Sequence, residues 1–300
     1  MPLYRKKADG TLDLLKGGRR KPDGTTAPLV SDPADTAPGG GGITDTGTFG
    51  TAFKLATLTG GTLTGASGFS ESSTYANGTS SLAVTTQNPP PGSSFSALCT
   101  VGGGGTGSNY ARGQNVFSGL DVGIGDWVAV GMRYYLRPGY KANNPYSAIL
   151  RFDNYEERHA KYGGSQADQF GINIEGRSYN NGHTGFGGVT LSAQQANVPG
   201  SPGRRILGGI ATDAEATEGQ WHRLELEARV HHTDGLAVNR VWHDDRLVLD
   251  NTKANVFADF VTRFSRCRHG IVAGGGGSSA IAMQVQYCYV ATGGRLGIPA

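Results

Sequence analysis

From Ile43 to residue 292, apolar side chains recur at strand spacing between turn signals, with no helix-period run of useful length. That pattern restricts the chain to an all-β fold. Candidate strands fall near residues 47–58, 67–76, 79–87, 93–101, 125–136, 146–153, 169–175, 186–193, 204–211, 219–231, 236–250, 268–273 and 280–292. Thirteen short strands are too many for a small barrel and suit two stacked antiparallel sheets. Glycine, at 49 of 300 residues, supplies the turns between them and shows no three-residue period, which excludes collagen. Val256, Phe257, Phe260, Val261 and Phe264 are at helical spacing, so residues 253–265 are expected to form a short helix or an irregular lid.

Residues 1–42 read differently. Asp9-Gly10, Gly17-Gly18, Pro22-Asp23-Gly24 and Pro33 punctuate them, and the run Pro38-Gly39-Gly40-Gly41-Gly42 forms a flexible joint before a sandwich over 43–300. Residues 1–24 hold seven basic and three acidic side chains, while the rest of the chain, with 20 and 21, is nearly neutral. Aspartates mixed into this basic stretch, and no aromatic beyond Tyr4, favour a protein partner over nucleic acid. Tyr4, Arg5, Lys6, Lys7, Leu12, Leu14 and Leu15 are the expected docking residues, with one helical turn over Thr11–Leu15 capped by Gly17. So short and apolar-poor a segment cannot offset its own ordering entropy, so a partner is expected to order it. The start lacks the apolar stretch of a secretory signal, and no run approaches the length of a membrane span. Synthesis in a cytoplasm is therefore expected. Cys99, Cys267 and Cys288 lie in apolar, strand-like contexts outside any CxxC pair, and are expected to be buried free thiols.

The sharpest local signal is the hairpin from Gln220 to Asp250. Leu224, Leu226, Ala228 and Val230 alternate with Arg223, Glu225, Glu227 and Arg229, giving an apolar and a polar face. A turn centred on Asp234-Gly235 sets Leu226 opposite Trp242, Val230 opposite Val238 and Glu225 opposite His243, with Leu226 and Trp242 in the core.

Gly219-Gln220-Trp221-His222-Arg223-Leu224-Glu225, then His232-Thr233-Asp234-Gly235, then Val241-Trp242-His243-Asp244-Asp245-Arg246-Leu247-Val248 resembles the late hairpin of concanavalin A-like lectin and glucanase jelly rolls. In that family Asp is followed by Gly at the turn, where this chain has Asp245-Arg246. Ser80-Ser81-Leu82-Ala83-Val84 resembles an early strand of such sandwiches, and Val285-Gln286-Tyr287-Cys288-Tyr289-Val290 the closing one. The resemblance covers residues 43–292 and implies a two-sheet antiparallel jelly roll preceded by an extended arm. The Met-Pro-Leu-Tyr-Arg-Lys-Lys start, glycine joint and sandwich together also resemble minor tail or head-decoration proteins of phages infecting actinobacteria. That resemblance implies a virion structural protein, docked to other tail or capsid proteins through residues 1–42 and present in several copies.

A glycosidase on this fold needs two carboxylates across the scissile bond, and no Glu-x-Asp-x-x-Glu run is present. Glu225 and Glu227 share a face with Arg223 and Arg229 and read as a solvated charge ladder. Polysaccharide lyases on similar sandwiches use an Arg-rich strand, a Gln-x-His pair and a Tyr-Lys strand. Arg133-Tyr134-Tyr135-Leu136-Arg137 and Tyr140-Lys141 echo two of these, without the Gln-x-His. His222, His231, His232 and His243 do not converge in the register above, and Cys267 with His269 supplies only two ligands. Gly102-Gly103-Gly104-Gly105 and Gly274-Gly275-Gly276-Gly277 lack the following Lys-Ser/Thr of a phosphate loop. No catalytic, metal or cofactor site is expected, and the chain reads as non-enzymatic. Its alternative reading is a glucanase or polysaccharide lyase. Loops 153–162 and 177–183 combine aromatics with amides, and Tyr155, Tyr162, Tyr179 and Asn181 are the expected contacts to a host-surface glycan.

Overall fold

A computed structural model of the chain describes residues 4–6, 12–14, 19–20, 26–27, 51–57, 69, 80–102, 113–143, 146–153, 169–175, 188–195, 205–254, 263–274, 280–292 and 294–298. The chain divides into two compact units, Met1–Ile43 and Thr44–Ala300.

In the first unit, β1 (Tyr4–Lys6) pairs antiparallel with β2 (Leu12–Leu14), and β3 (Arg19–Arg20) with β4 (Thr26–Ala27). The helical turn expected over Thr11–Leu15 is replaced by β2. Leu12 and Leu14 are two apart, which is strand spacing, and Asp9-Gly10 between the strands is a sequence suited to a tight hairpin. Tyr4, Arg5 and Lys6 lie in β1 and Leu12 and Leu14 in β2; Lys7 and Leu15 are outside the described residues.

The second unit is an antiparallel two-sheet β-sandwich. One sheet has six strands in the order β13 (Arg205–Glu215), β12 (Gly188–Gln195), β11 (Gln169–Glu175), β10 (Tyr146–Asp153), β17 (Arg263–Gly274) and β8 (Gly113–Gly123). The other, of eight strands, runs β16 (Arg246–Asn251), β15 (Val238–His243), β14 (Trp221–Arg229), β9 (Trp127–Leu136), β18 (Ile281–Thr292), β7 (Ser96–Val101) and β6 (Ser80–Thr85), and β5 (Thr51–Thr57) also pairs with β18. The short helix α1 (Tyr140–Asn143) links β9 to β10.

Alternate residues of both sheets build the core: Met132, Leu224 and Leu226 from the larger, Phe117, Leu150, Phe152, Phe170 and Leu191 from the smaller. Asn115 Nδ2 donates to Cys288 Sγ between the sheets at 3.3 Å. Cys99, Cys267 and Cys288 are buried free thiols, and burial pushes Cys99 up to about 12.

The hairpin register differs from the expected one by a single residue. Leu226 faces Val241, Glu225 faces Trp242 and Leu224 faces His243. Leu226 and Val241 fill the core, while Trp242 turns to the opposite face beside Glu225; its expected place between the sheets is taken by Val241. The turn responsible is longer than a two-residue hairpin, because the Leu236 and Ala237 amides both bond back to the Thr233 carbonyl.

Two further differences share a cause. Strand β8 escapes the alternation test because its ladder with β17 slips between Val122 and Ser118, where Gly119 has φ +73° and lets Phe117, Leu120 and Val122 all reach the core. The expected strand 236–250 is broken into β15 and β16 by Asp244 (φ 50°) and Asp245 (φ 64°), a left-handed pair with no glycine to announce it. Of the expected helix or lid over 253–265, residues 255–262 lie outside the described residues and 263–265 begin β17.

Candidate functional site

Strand β10 sends Leu150 and Phe152 into the core and Arg151 and Asp153 to the outer face of the six-stranded sheet. On the neighbouring β17, Arg268 stands opposite Arg151 and Arg266 opposite Asp153, with Cys267 and His269 pointing inward. Asp153 Oδ1 accepts from Arg266 Nε at 2.8 Å and lies 2.8 Å from Arg266 Nη2; Oδ2 is 2.6 Å from Arg268 Nη2. The Asp153 and Arg268 side chains are almost wholly buried, whereas that of Arg266 is 20% exposed. A carboxylate so buried is tolerated only when paired, and guanidinium forks match its geometry. Opposite Arg151, a Cβ on Gly171 would come within 2.0 Å of the Leu150 carbonyl oxygen, so the close strand approach beside the β10 bulge requires glycine. Arg-x-Asp and Arg-x-Arg are visible in the sequence as pairs with strand period, but nothing local joins two segments so far apart in the chain.

A second polar cluster closes one end of the eight-stranded sheet, and it follows from the one-residue shift in register. With Leu224 opposite His243, His222 comes onto the same face and the two imidazoles lie with centroids 4.8 Å apart, tilted by 31°. The left-handed backbone at Asp244 aims its carboxylate at both: Oδ2 is 2.8 Å from His222 Nδ1 and 3.5 Å from His243 Nδ1. Oδ1 accepts the Arg223 amide at 2.8 Å. The distal nitrogens are also engaged, His222 Nε2 with the Thr217 hydroxyl (2.8 Å) and carbonyl (3.1 Å), His243 Nε2 with the buried Tyr134 hydroxyl (2.9 Å). Burial pushes His243 down to about 4, so it is neutral at ordinary pH. Burial alone would raise the Asp244 carboxyl, but hydrogen bonds from His222 and the Arg223 amide outweigh it and hold the group below the usual range. One donor atom from each of His222, His243 and Asp244 lies within 4.8 Å of the others, which suits a metal ion.

The other expected residues are distributed as follows. Tyr155, Tyr162, Tyr179 and Asn181 lie outside the described residues. Asp153, which precedes the segment of Tyr155 and Tyr162, pairs with Gln169, and Glu175, which precedes that of Tyr179 and Asn181, pairs with Tyr146 at the other end of the strands. Glu225 and Glu227 are buried, not a solvated ladder, and Glu225 is not paired with His243. Glu225 Oε1 accepts from the Tyr289 hydroxyl (2.5 Å) and the Gly297 amide (3.1 Å), and Oε2 from Arg295 Nη1 (3.0 Å). Arg295 lies 4.2 Å over the Trp242 ring. His231 and His232 are half-buried near the turn, and Arg133 sits on the outer face near Trp221.

No protein-family model matches this sequence, and no curated protein matches it. Solved structures do. An endo-β-1,4-glucuronan lyase from the fungus Trichoderma reesei superposes with a TM-score of 0.59 at 14% identity, over 82% of this chain and 100% of that one. An alginate lyase from Chlorella virus gives 0.44 at 15% identity over 70% and 88%, and a family 7 alginate lyase 0.41 at 9% over 66% and 79%. The first of these likenesses establishes the shared β-sandwich fold. It also corrects the ground on which a non-enzymatic chain was expected: the fungal protein that shares the fold over its whole length is a lyase, so the fold itself does not argue against catalysis. The expectation failed for a chemical reason: missing paired carboxylates argue against hydrolysis, whereas elimination needs a cation beside a uronate and a base, not two acids.

Proposed function

We propose that the sandwich cleaves an acidic, uronate-containing polysaccharide by β-elimination. The observation that carries this reading is the pair Arg266 and Arg268 on Asp153, with Arg151 opposite Arg268 on the same outer face of the six-stranded sheet. The likeness to a glucuronan lyase supports the same substrate class. Guanidiniums bind a sugar carboxylate through paired, charge-assisted hydrogen bonds. Spreading the carboxylate charge acidifies the C5 hydrogen, because the carbanion formed on its removal delocalises onto that carboxylate. A base takes the C5 proton, the electron pair forms the C4–C5 double bond, the C4–O bond to the next sugar breaks, and the leaving oxygen takes up a proton. Water is neither consumed nor released. Tyr155, His159, Lys161 and Tyr162, in the segment that follows Asp153, supply side chains of the right type for base and acid.

The test is incubation of the full chain with glucuronan, alginate and a neutral β-glucan, following the ultraviolet absorbance of the new conjugated double bond. Absorbance should rise with a polyuronate alone. Reducing ends released from the neutral glucan without that absorbance would overturn the reading. The separate unit Met1–Ile43, which holds the basic excess, supports a docking role toward a partner protein. Its removal is accordingly expected to leave cleavage of soluble polyuronate unchanged.

A further inference from the structure

We propose that His222, His243 and Asp244 form a site for a divalent transition metal of the zinc type. The inference is independent of the glycan reading and rests on four observations. First, two imidazole Nδ1 atoms converge on one carboxylate oxygen, at 2.8 and 3.5 Å. The three donor atoms all lie within 4.8 Å of one another. Tetrahedral zinc with bonds of about 2.0–2.1 Å places its donor atoms about 3.3 Å apart, so closing the two imidazoles together by up to about 1.5 Å converts this triangle into three ligands and leaves a fourth position for water.

Second, both rings are oriented from behind, as metal-bound imidazoles are. His243 Nε2–H can donate to the Tyr134 hydroxyl, which directs its Nδ1 lone pair toward Asp244. The Nδ1 hydrogen that His222 gives to Asp244 Oδ2 is the proton a cation would displace, with Nε2–H then donating to the Thr217 carbonyl. Third, Asp244 has a left-handed backbone that a non-glycine residue adopts at a cost, and that conformation is what brings its carboxylate to both rings. Fourth, the Asp244 side chain is 44% exposed while both histidines are buried, so an ion has a route in and the imidazoles are kept dry.

The choice of zinc class follows from the donors. Two neutral nitrogens and one carboxylate are too few oxygens for calcium or magnesium and suit zinc, nickel or copper. A metal here would tie β9, β14 and the β15–β16 turn together at one end of the sheet.

The experiment uses the full chain, stripped with a chelator, dialysed, then loaded with zinc chloride and analysed for metal and thermal stability. One zinc per chain and a raised melting temperature are expected. Asp244→Asn keeps a residue that tolerates the left-handed turn and can still accept the Arg223 amide, so it should fold and lose the zinc. Tyr134→Phe, which removes only the support behind His243, should weaken zinc binding about tenfold or more. His231→Ala and His232→Ala should bind as the parent does. No zinc uptake by the parent, uptake unchanged in Asp244→Asn, or uptake lost only with His231 or His232, would each overturn the proposal. If cobalt replaces zinc, a visible spectrum of tetrahedral type that vanishes in His243→Gln is the expected signature.

Discussion

On the outer face of the eight-stranded sheet, Glu225 is held by Tyr289, Arg295 and the Gly297 amide, and the segment bearing the last two closes over it. Ala129, Tyr289, Ala291 and Ile298 form a small apolar cluster there, with Tyr287 and Leu296 packed against it. On the outer face of the six-stranded sheet, Asp153 is also buried between cations, but the groups around it are guanidiniums aligned along one strand, and one of them, Arg266, reaches solvent. The same chemical unit therefore has two uses. The Glu225 cluster contains its own complement of donors and is capped by the chain, which is how a fold seals a buried charge. In the Asp153 cluster two arginines share one carboxylate, and the more exposed of them, Arg266, is the one our proposal sets against an anionic sugar.

The largest expected effect tests the sealed face. Arg295→Ala leaves Glu225 buried without its cation and uncovers Trp242, so it should cost about 3–5 kcal/mol in chemical denaturation. Polyuronate cleavage measured well below the new melting temperature should be unchanged. Loss of cleavage with intact stability would put the active face on the wrong sheet.

Next is the open face. Arg266→Ala should lower kcat/KM on a polyuronate by about 100-fold or more, roughly 2.7 kcal/mol of barrier, the usual cost of one donor to a developing negative charge. Arg266→Lys should recover part of it, keeping the charge and losing the fork. An unchanged kcat/KM in the alanine variant would move the substrate elsewhere.

These two faces were legible in the sequence to different degrees. The alternation in Leu224, Leu226 and Ala228 marks a half-buried strand, and those residues are in the core. Which residue faces which across the hairpin was not legible, since it depends on how residues 230–237 fold back on Thr233, and a shift of one position exchanges Trp242 for Val241. From that shift came the misplacement of Trp242 and the failure to bring His222 and His243 together. Burial of Glu225 and Glu227 was hidden for another reason: Glu225 is covered by Arg295 and Gly297, far along the chain, and flanking arginines look the same whether a strand face is solvated or roofed over. The Arg151–Asp153–Arg266–Arg268 cluster depends on β10 and β17 being neighbours, a fact of topology that no local pattern carries.

A smaller effect separates core from faces by pH. His269 is fully buried between the sheets, and burial pushes it down to about 3. Above pH about 6.5 the ring is neutral folded or unfolded and contributes no slope. As pH falls from about 6.5 toward 3, the unfolded chain takes up a proton that the native ring refuses, so stability drops by up to about 1.4 kcal/mol per pH unit. Denaturation curves collected across this range should show a steeper slope in the parent than in His269→Leu, the remainder including His243, which burial also holds down, at about 4. An equal slope in the two proteins would assign it to groups other than His269.

The smallest effect concerns the part of the eight-stranded sheet that the C-terminal segment leaves to solvent. Arg240 bridges two carboxylates at equal distance, Nη1 to Glu227 Oε2 at 3.3 Å and Nε to Asp250 Oδ1 at 3.3 Å, so distance alone predicts equal contributions. Exposure decides otherwise. The Glu227 side chain is largely buried, while that of Asp250 is 49% exposed, and water and salt screen most of the attraction on the exposed side. Asp250→Asn removes the charge, keeps the shape and leaves Arg240 its bond to Glu227. It should change stability by no more than about 0.5 kcal/mol, with the remainder disappearing in high salt. Set beside Arg295→Ala, which strips a buried carboxylate of its cation and uncovers Trp242, Asp250→Asn removes only an exposed charge, and the two measurements bracket what burial does to an ion pair on this sheet. A loss above about 1 kcal/mol in Asp250→Asn, insensitive to salt, would mean that this stretch of the sheet is covered as well, and would remove the basis for treating the two ends of the face differently.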